Sequence, residues 1–435
     1  MPSDEKKHPV VQRAFLTSLF EAAVAAADPF VAIRAHLPTR PKGRTVIVGA
    51  GKASAVMALA FEQLWTAPLS GVVVARHGDE TVCERISVLH AAHPVPDDAG
   101  LRASLALKAA VADLTEDDLV VALISGGGSA LLPSPAAGLT LADEIAVNRA
   151  LLASGLPISA MNVIRRHVST IKGGQLAQLA YPARVFSLIV SDIPGDNPAH
   201  VASGPTVSDG STRSDALALV RQHRLILPDA VMRCLEHAED STVMLLNPAN
   251  EHHVIASARV SLEAAADAAQ RQGVRAVILS DCIEGEARDI GKMHAAIARE
   301  VAARNRPFEA PIVLLSGGET TVTIRDERAG RGGRNSEFLL SFALDIAGED
   351  RIVALAADTD GIDGSEHNAG AFADGRTTVN MRGAGVDPVA CLNAHDAFTA
   401  FESTNDVFIT GQTGTNVNDF RAILIEGKET PLPLA

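Results

Sequence analysis

Aromatic side chains are scarce in this chain: Phe, Trp and Tyr make up 3% of 435 residues, with one Trp and one Tyr. Proteins that hold single-stranded nucleic acid stack its bases on aromatic rings, so no nucleic-acid partner is expected. A net charge of −14 argues the same way. Cysteine is scarce too. Cys83, Cys234, Cys282 and Cys391 lie far apart with no CxxC pair, which excludes a zinc site of the usual spacing and suggests a reduced, cytoplasmic setting. No run of 18 apolar residues occurs, so no membrane partner is expected. Near the N-terminus, FLTSLFEAAVAAADPF (15–30) is broken by Glu21 and Asp28 and reads as an amphipathic helix, not a signal peptide.

What is present is an ordinary globular composition, 47% hydrophobic and 21% charged, in a chain long enough for two or three domains. Because the overall charge is acidic, an anionic substrate has to be met by a local cluster of Lys and Arg.

Short β-branched apolar runs alternate with helical stretches along the whole length. Strands are predicted at the start of TVIVGAGK (45–52), within 71–78 and 86–96, at 118–125 and 185–190, and again at 243–247, 275–281, 311–324 and 351–357. Helices lie between them, among them 98–112, two within 213–237, a long one over 250–271 opened by His252 and His253, and 286–304. This pattern predicts two α/β domains with mainly parallel sheets covered by helices, 1–240 and 241–435, with a hinge near 238–242. The active site is expected in the cleft between the domains. No repeat and no low-complexity segment is evident.

The loops after these strands carry the chemistry. VFSLIV delivers Ser191-Asp192 to a strand end, followed by the dense turn IPGDNP; ligands bind at such ends in parallel sheets. GAGK places Gly49, Gly51 and Lys52 at the start of a helix, where an anion is favoured. The segment lacks the Walker A form. It also reads as a weak dinucleotide fingerprint, with Arg76 available to a 2′-phosphate, which keeps an NADP-dependent reductase open. SGGGS (Ser125, Gly126, Gly127, Gly128, Ser129) and SGGET (with Gly317, Gly318 and Glu319) read as backbone nests for phosphate oxygens. On a helix over 161–174, Asn162, Arg165, Ser169 and Lys172 share one polar, basic face. GRGGR supplies Arg331 and Arg334 ahead of a helix capped by Asn335. ADTDGIDG gathers Asp358, Asp360 and Asp363. No Glu stands at the twelfth position, so an EF-hand is excluded, and Asp358 with Asp360 suits a magnesium–phosphate site. Lysine, arginines, acids and glycine nests together are what phosphoryl transfer requires.

VGAGKAS (48–54), HPVPD (93–97), SGGGSALL (125–132), IRRHVSTIKGGQLA (164–177), SDIPGDNPAHVASGPT (191–206), SGGET (316–320), GRGGRNSE (330–337), AADTDGIDG (356–364) and TGTNVND (413–419) occur in this order. Together they resemble the class II glycerate 2-kinases, over about residues 12–426. The resemblance implies a Rossmann-like N-terminal domain joined to a MOFRL domain. It also implies ATP-dependent phosphorylation of D-glycerate at its 2-hydroxyl with a divalent metal such as Mg2+. Matching by motif, the catalytic positions are Lys52, Asp192 and either Arg331 or Arg334. Hydroxypyruvate reductase, a label often given to family members, is the rival enzyme. A two-domain sugar-acid or phosphate sensor is the non-enzymatic alternative, disfavoured because a sensor needs no converging acids and bases. The oligomeric state is left open, a homo-oligomer included.

Overall fold

The computed structural model describes residues 8–208, 210–237, 246–324 and 330–427. It places two six-stranded sheets in two compact units, Pro29–Ile255 and Met1–Asp28 with Ala256–Ala435.

The first unit is built on β1 (Thr45–Ala50), β2 (Ser70–Arg76), β3 (Ile86–Ala91), β4 (Leu119–Ser125), β5 (Arg184–Val190) and β6 (Glu251–Ala256), in the order β3-β2-β1-β4-β5-β6. The pairings from β3 through β5 are parallel, as expected. β1 and β4 are buried along their whole length, which is why these runs do not alternate with polar residues. Val46, Val48, Val120, Ile124 and Val185 pack with Leu107 and Ile171 in one core. Strand order reverses between β1 and β4. Their connections leave in opposite directions, so a crevice opens at the carboxyl ends of these two strands.

The second unit holds β7 (Ala276–Glu286), β8 (Ile312–Thr321), β9 (Ile352–Asp358), β10 (Gly370–Asp374), β11 (Val407–Phe408) and β12 (Asp419–Ile425), in the order β11-β10-β9-β12-β8-β7. Four strands share one direction. β12 runs antiparallel to β8 and β9, and β10 antiparallel to β9 and β11. The sheet is therefore mixed, where the sequence suggested mainly parallel strands. A parallel return needs a crossover of a dozen or more residues, usually helical, and no helix lies between β9 and β10 or between β11 and β12.

The expected division at 240/241 is replaced by a less simple one. Helix His8–Ala26 packs in the second unit, with Phe20 edge-on to Phe408 and Phe420 at centroid distances of 5.1 and 5.7 Å. Ser261 Oγ donates to the Ala23 carbonyl at 2.8 Å and Arg13 pairs with Asp406 at 2.5 Å. The expected helix start at 250–256 is instead β6, on the edge of the first sheet, where His253 packs against Phe186. The helix begins at Ala258, capped by Ser257. The expected hinge at 238–242 and most of the expected strand at 243–247 lie outside the described residues.

Candidate active site

At the crevice of the first unit, β1 and β4 bring two loops together. The Lys52 amide donates to the Gly126 carbonyl at 2.8 Å. β5 then delivers Asp192 beside them, as its sequence predicted, and Lys52 Nζ lies 3.9 Å from Asp192 Oδ2. The Asp192 carboxylate sits directly over Gly126: a Cβ there would stand 1.7 Å from Oδ2. Burial pushes the Asp192 carboxyl above the usual carboxylate range, and Lys52 opposes that shift. His93, absent from the site read from sequence, faces the same spot. A Cβ on Gly127 would lie 3.2 Å from both the His93 ring and Lys52 Cγ. Burial lowers the His93 pKa, and the nearby charges of Lys52 and Arg76 lower it further. His93 lies in HPVPD (93–97), where a histidine between an apolar run and prolines has no spacing that marks it as a site residue.

Behind this face, Ser129 Oγ meets Ser203 Oγ at 2.7 Å, and Ser203 Oγ donates to Asn162 Oδ1 at 2.9 Å. Arg165 also donates to Asn162 Oδ1, at 3.2 Å, and to Asn148 Oδ1 at 2.9 Å. Arg165 is buried rather than on an open basic face, and burial pushes its guanidinium down to about 10. The helix ends at His167, so Ser169 and Lys172 do not continue its stripe. Lys172 is 1% exposed and is neutralised by Glu144 at 2.5 Å, with a second bond to the Leu132 carbonyl. It is an internal ion pair, not a phosphate contact. Glu144 was the acid that the sequence stripe did not reveal.

Three further residues expected at a phosphate are built into the scaffold instead. Gly49 lies inside β1, paired with Leu123 of β4. Ser125 Oγ accepts from the Ala53 amide at 3.0 Å. The Gly51 amide donates to the Val74 carbonyl at 3.2 Å. With the Lys52 amide bonded to Gly126, the Gly51, Lys52 and Ala53 amides leading into this helix are all bonded within the chain. Gly126 and Gly127 remain at the strand end beside Asp192, Lys52 and His93, while Gly128 and Ser129 open a short helix against Ala202 and Ser203.

In the second unit the acids and one arginine do converge. Arg334 donates from Nε to Asp419 Oδ1 at 2.6 Å, from Nη2 to Asp358 Oδ2 at 2.8 Å and from Nη1 to Glu319 Oε1 at 3.1 Å. Burial drives the Asp358 carboxyl up to about 8; Arg334 opposes this, while Asp360 and Asp419 add to it. Asp419 is itself fully buried. Burial alone would raise its pKa, but Arg421 and Arg334 outweigh that and hold it low. Arg331, three residues from Arg334, turns elsewhere. It pairs with Glu366 at 2.8 Å and Glu402 at 3.2 Å and lies over the Phe398 ring. The following helix is capped by Asp363, not by Asn335. The Asn335 and Ser336 amides donate to Asp363 at 2.9 and 2.8 Å. Among the described residues no three His, Cys, Asp or Glu side chains are grouped as a metal cage would require.

SGGET is not a nest. Ser316 to Thr320 lie within β8, where Gly317 pairs with Phe420 and Gly318 with Asp419. Gly318 has φ +122°, and a Cβ there would lie 2.3 Å from the Ile283 backbone, beside register shifts in β7. Glycine is required here for close strand approach. Asp419 and Arg421, the central buried pair, were also missed as site residues. TGTNVND contains Asp419, but no periodicity marks it as the start of a strand.

No single helix among the described residues is long and apolar enough to cross a membrane. A domain of unknown function, DUF4147, matches residues 15–236, and the MOFRL family matches residues 312–419. The chain is 50% identical over 417 residues to an Agrobacterium vitis protein with a provisional hydroxypyruvate reductase name, spanning 96% of this chain and 95% of that one. It is 36% identical over 424 residues to the glycerate 2-kinase of Pyrococcus horikoshii, spanning 93% of this chain and 96% of that protein. The crystal structure of a glycerate kinase from Thermotoga maritima matches with a TM-score of 0.87 at 33% identity, over 96% of this chain and 100% of the other. With the two domain matches in this order and kinases of this kind similar along nearly its whole length, the chain belongs to the glycerate 2-kinase family.

Proposed function

We propose that the protein is an ATP-dependent kinase that phosphorylates the 2-hydroxyl of D-glycerate, giving 2-phosphoglycerate. The observation that carries this reading is the Lys52–Asp192 pair at the strand-order reversal of the first sheet. A carboxylate with a raised pKa is a competent base at neutral pH. Asp192 takes the proton of the 2-hydroxyl as its oxygen bonds to the γ-phosphorus and the bond to the ADP oxygen breaks. Lys52 offsets the negative charge that collects around that oxygen. The turn Gly126–Ser129, with His93 beside it, holds the remaining polar groups of the substrate.

Arg334 is the arginine assigned to the transferred phosphoryl group, because it lies against Asp358, the position suited to magnesium, while Arg331 is drawn away to Glu366 and Glu402. The donor chemistry around Asp358 and Asp360 fits magnesium. The oxygen ligands are hard, and the carboxyl of Asp358, raised to about 8 by burial with Asp360 and Asp419 adding to it, is one that a bound cation would hold in its charged form. Magnesium binds through one or two carboxylates together with substrate phosphates, so no full protein cage is needed. When bound, it neutralises phosphate charge. None of the four cysteines is in a disulfide, which suits the reducing cytoplasm.

The reductase alternative meets a physical obstacle. A dinucleotide pyrophosphate is held by backbone donors at the helix start after β1, and the Gly51, Lys52 and Ala53 amides are bonded within the chain. The deciding experiment supplies D-glycerate, MgATP and NADPH together and follows ADP and NADPH separately. ADP formation dependent on glycerate, with NADPH constant, is expected. NADPH loss on adding hydroxypyruvate, with no ADP formed from glycerate, would reverse the assignment.

A further inference from the structure

We propose that Asp419 is the positioning residue for Arg334, and that the buried Arg421 is present to hold Asp419 in that role. The inference rests on the reading of Arg334 as the phosphoryl-facing arginine. It extends that reading to two residues that touch no substrate.

Asp419 opens β12 and is 2% exposed. Its two oxygens are fully used. Oδ1 accepts from Arg334 Nε at 2.6 Å and Asn335 Nδ2 at 2.9 Å. Oδ2 accepts from the Thr320 amide and hydroxyl, each at 3.0 Å, and from Arg421 Nη2. Five donors on one carboxylate leave it no freedom to rotate. Arg421 lies two residues along the same strand, hence on the same face of the sheet. It is completely buried, bonded also to Thr320 Oγ1 at 3.1 Å, with its guanidinium 4.9 Å from the centre of the Phe338 ring.

The three charges form an ordered stack. Arg421 has no exposed side-chain surface, Asp419 has none, and Arg334 keeps 24% of its side chain exposed. Only the last can meet a ligand. An isolated buried ion pair gives little stability over apolar residues of similar volume, so stability alone is a weak reason for this arrangement. Orientation is a better one. The Nε contact to Asp419 fixes the plane of the Arg334 fork, whereas Glu319, the partner at Nη1, is half-exposed and displaceable.

The experiment compares steady-state kinetics and melting temperature of Arg334→Ala, Arg421→Lys and the charge-balanced double variant Asp419→Leu/Arg421→Met with the parent. Arg334→Ala is the reference, and normal turnover there would reject the reading of Arg334 itself. If that variant is impaired, the double variant is expected to fold, to lose about 10²-fold in kcat and to keep its KM for glycerate within about twofold, the pattern of a misaimed charge. A folded double variant with parental kcat would overturn the proposal while leaving Arg334 in place. Should the double variant not fold, Arg421→Lys decides: it keeps the charge but loses the fork. A kcat lowered about tenfold supports the proposal and an unchanged kcat overturns it.

Discussion

The carboxylate of Asp192 occupies the space that a side chain on Gly126 would take, with Oδ2 only 1.7 Å from the position of a Cβ. The backbone of Gly126 is not in the left-handed region, so alanine is allowed by the chain's conformation, and the three nearest atoms its Cβ would meet all belong to the Asp192 carboxylate. Gly126→Ala should therefore leave the melting temperature nearly unchanged and displace the base. A shift of about 1 Å at a reacting group costs on the order of 10²-fold, and kcat should fall by that much. Parental turnover in this variant would separate Asp192 from the chemistry.

Lys52 stands beside Asp192 with about a third of its side chain exposed, and no core contact depends on its ammonium. Lys52→Ala should fold normally and lose roughly 10²–10³ in kcat, the scale for one preorganised charge-stabilising group. Near-normal turnover would remove Lys52 from the site.

Lys172 gives the opposite expectation. Lys172→Met leaves Glu144 buried without its counter-charge, a change that costs about 3–5 kcal/mol. Denaturant unfolding should show the loss directly. At a temperature where the variant is folded, its KM for glycerate should match the parent, because the ammonium is sealed from solvent.

Asp358 makes stability depend on pH. Its pKa is about 8 in the fold against about 4 in the unfolded chain, so between these values the folded state binds the extra proton. Stability from this group is complete below pH about 4 and is lost as pH rises through about 8. The magnesium-free protein should show a falling melting temperature across this range, and Asp358→Asn should flatten the fall. An equal slope in the two proteins would place the titration elsewhere.

Local sequence was enough for whatever short-range physics dictates. VFSLIV is apolar on both faces and is followed at once by a polar turn, so a buried strand that delivers Asp192 just past its end was legible, as were β1, β4 and the alternation that specifies two α/β units. The acids after β9 and the glycines after β4 were legible for the same reason. Which of these groups meet is a long-range matter that only the tertiary structure decided. SGGGS and SGGET are alike as strings, yet the first ends a strand while the second runs on inside β8, because β12 and β7 pair along it. Lys52 and Lys172 are both lysines near glycines. One reaches the Asp192 carboxylate and the other is closed off by Glu144, 28 residues away in sequence. Arg331 and Arg334 are separated by two glycines, and their fates were set by Glu366 and Phe398 on one side and by Asp358 and Asp419 on the other. A charge is defined by the partners and the burial that the fold assembles around it, and neither is written in the residues beside it.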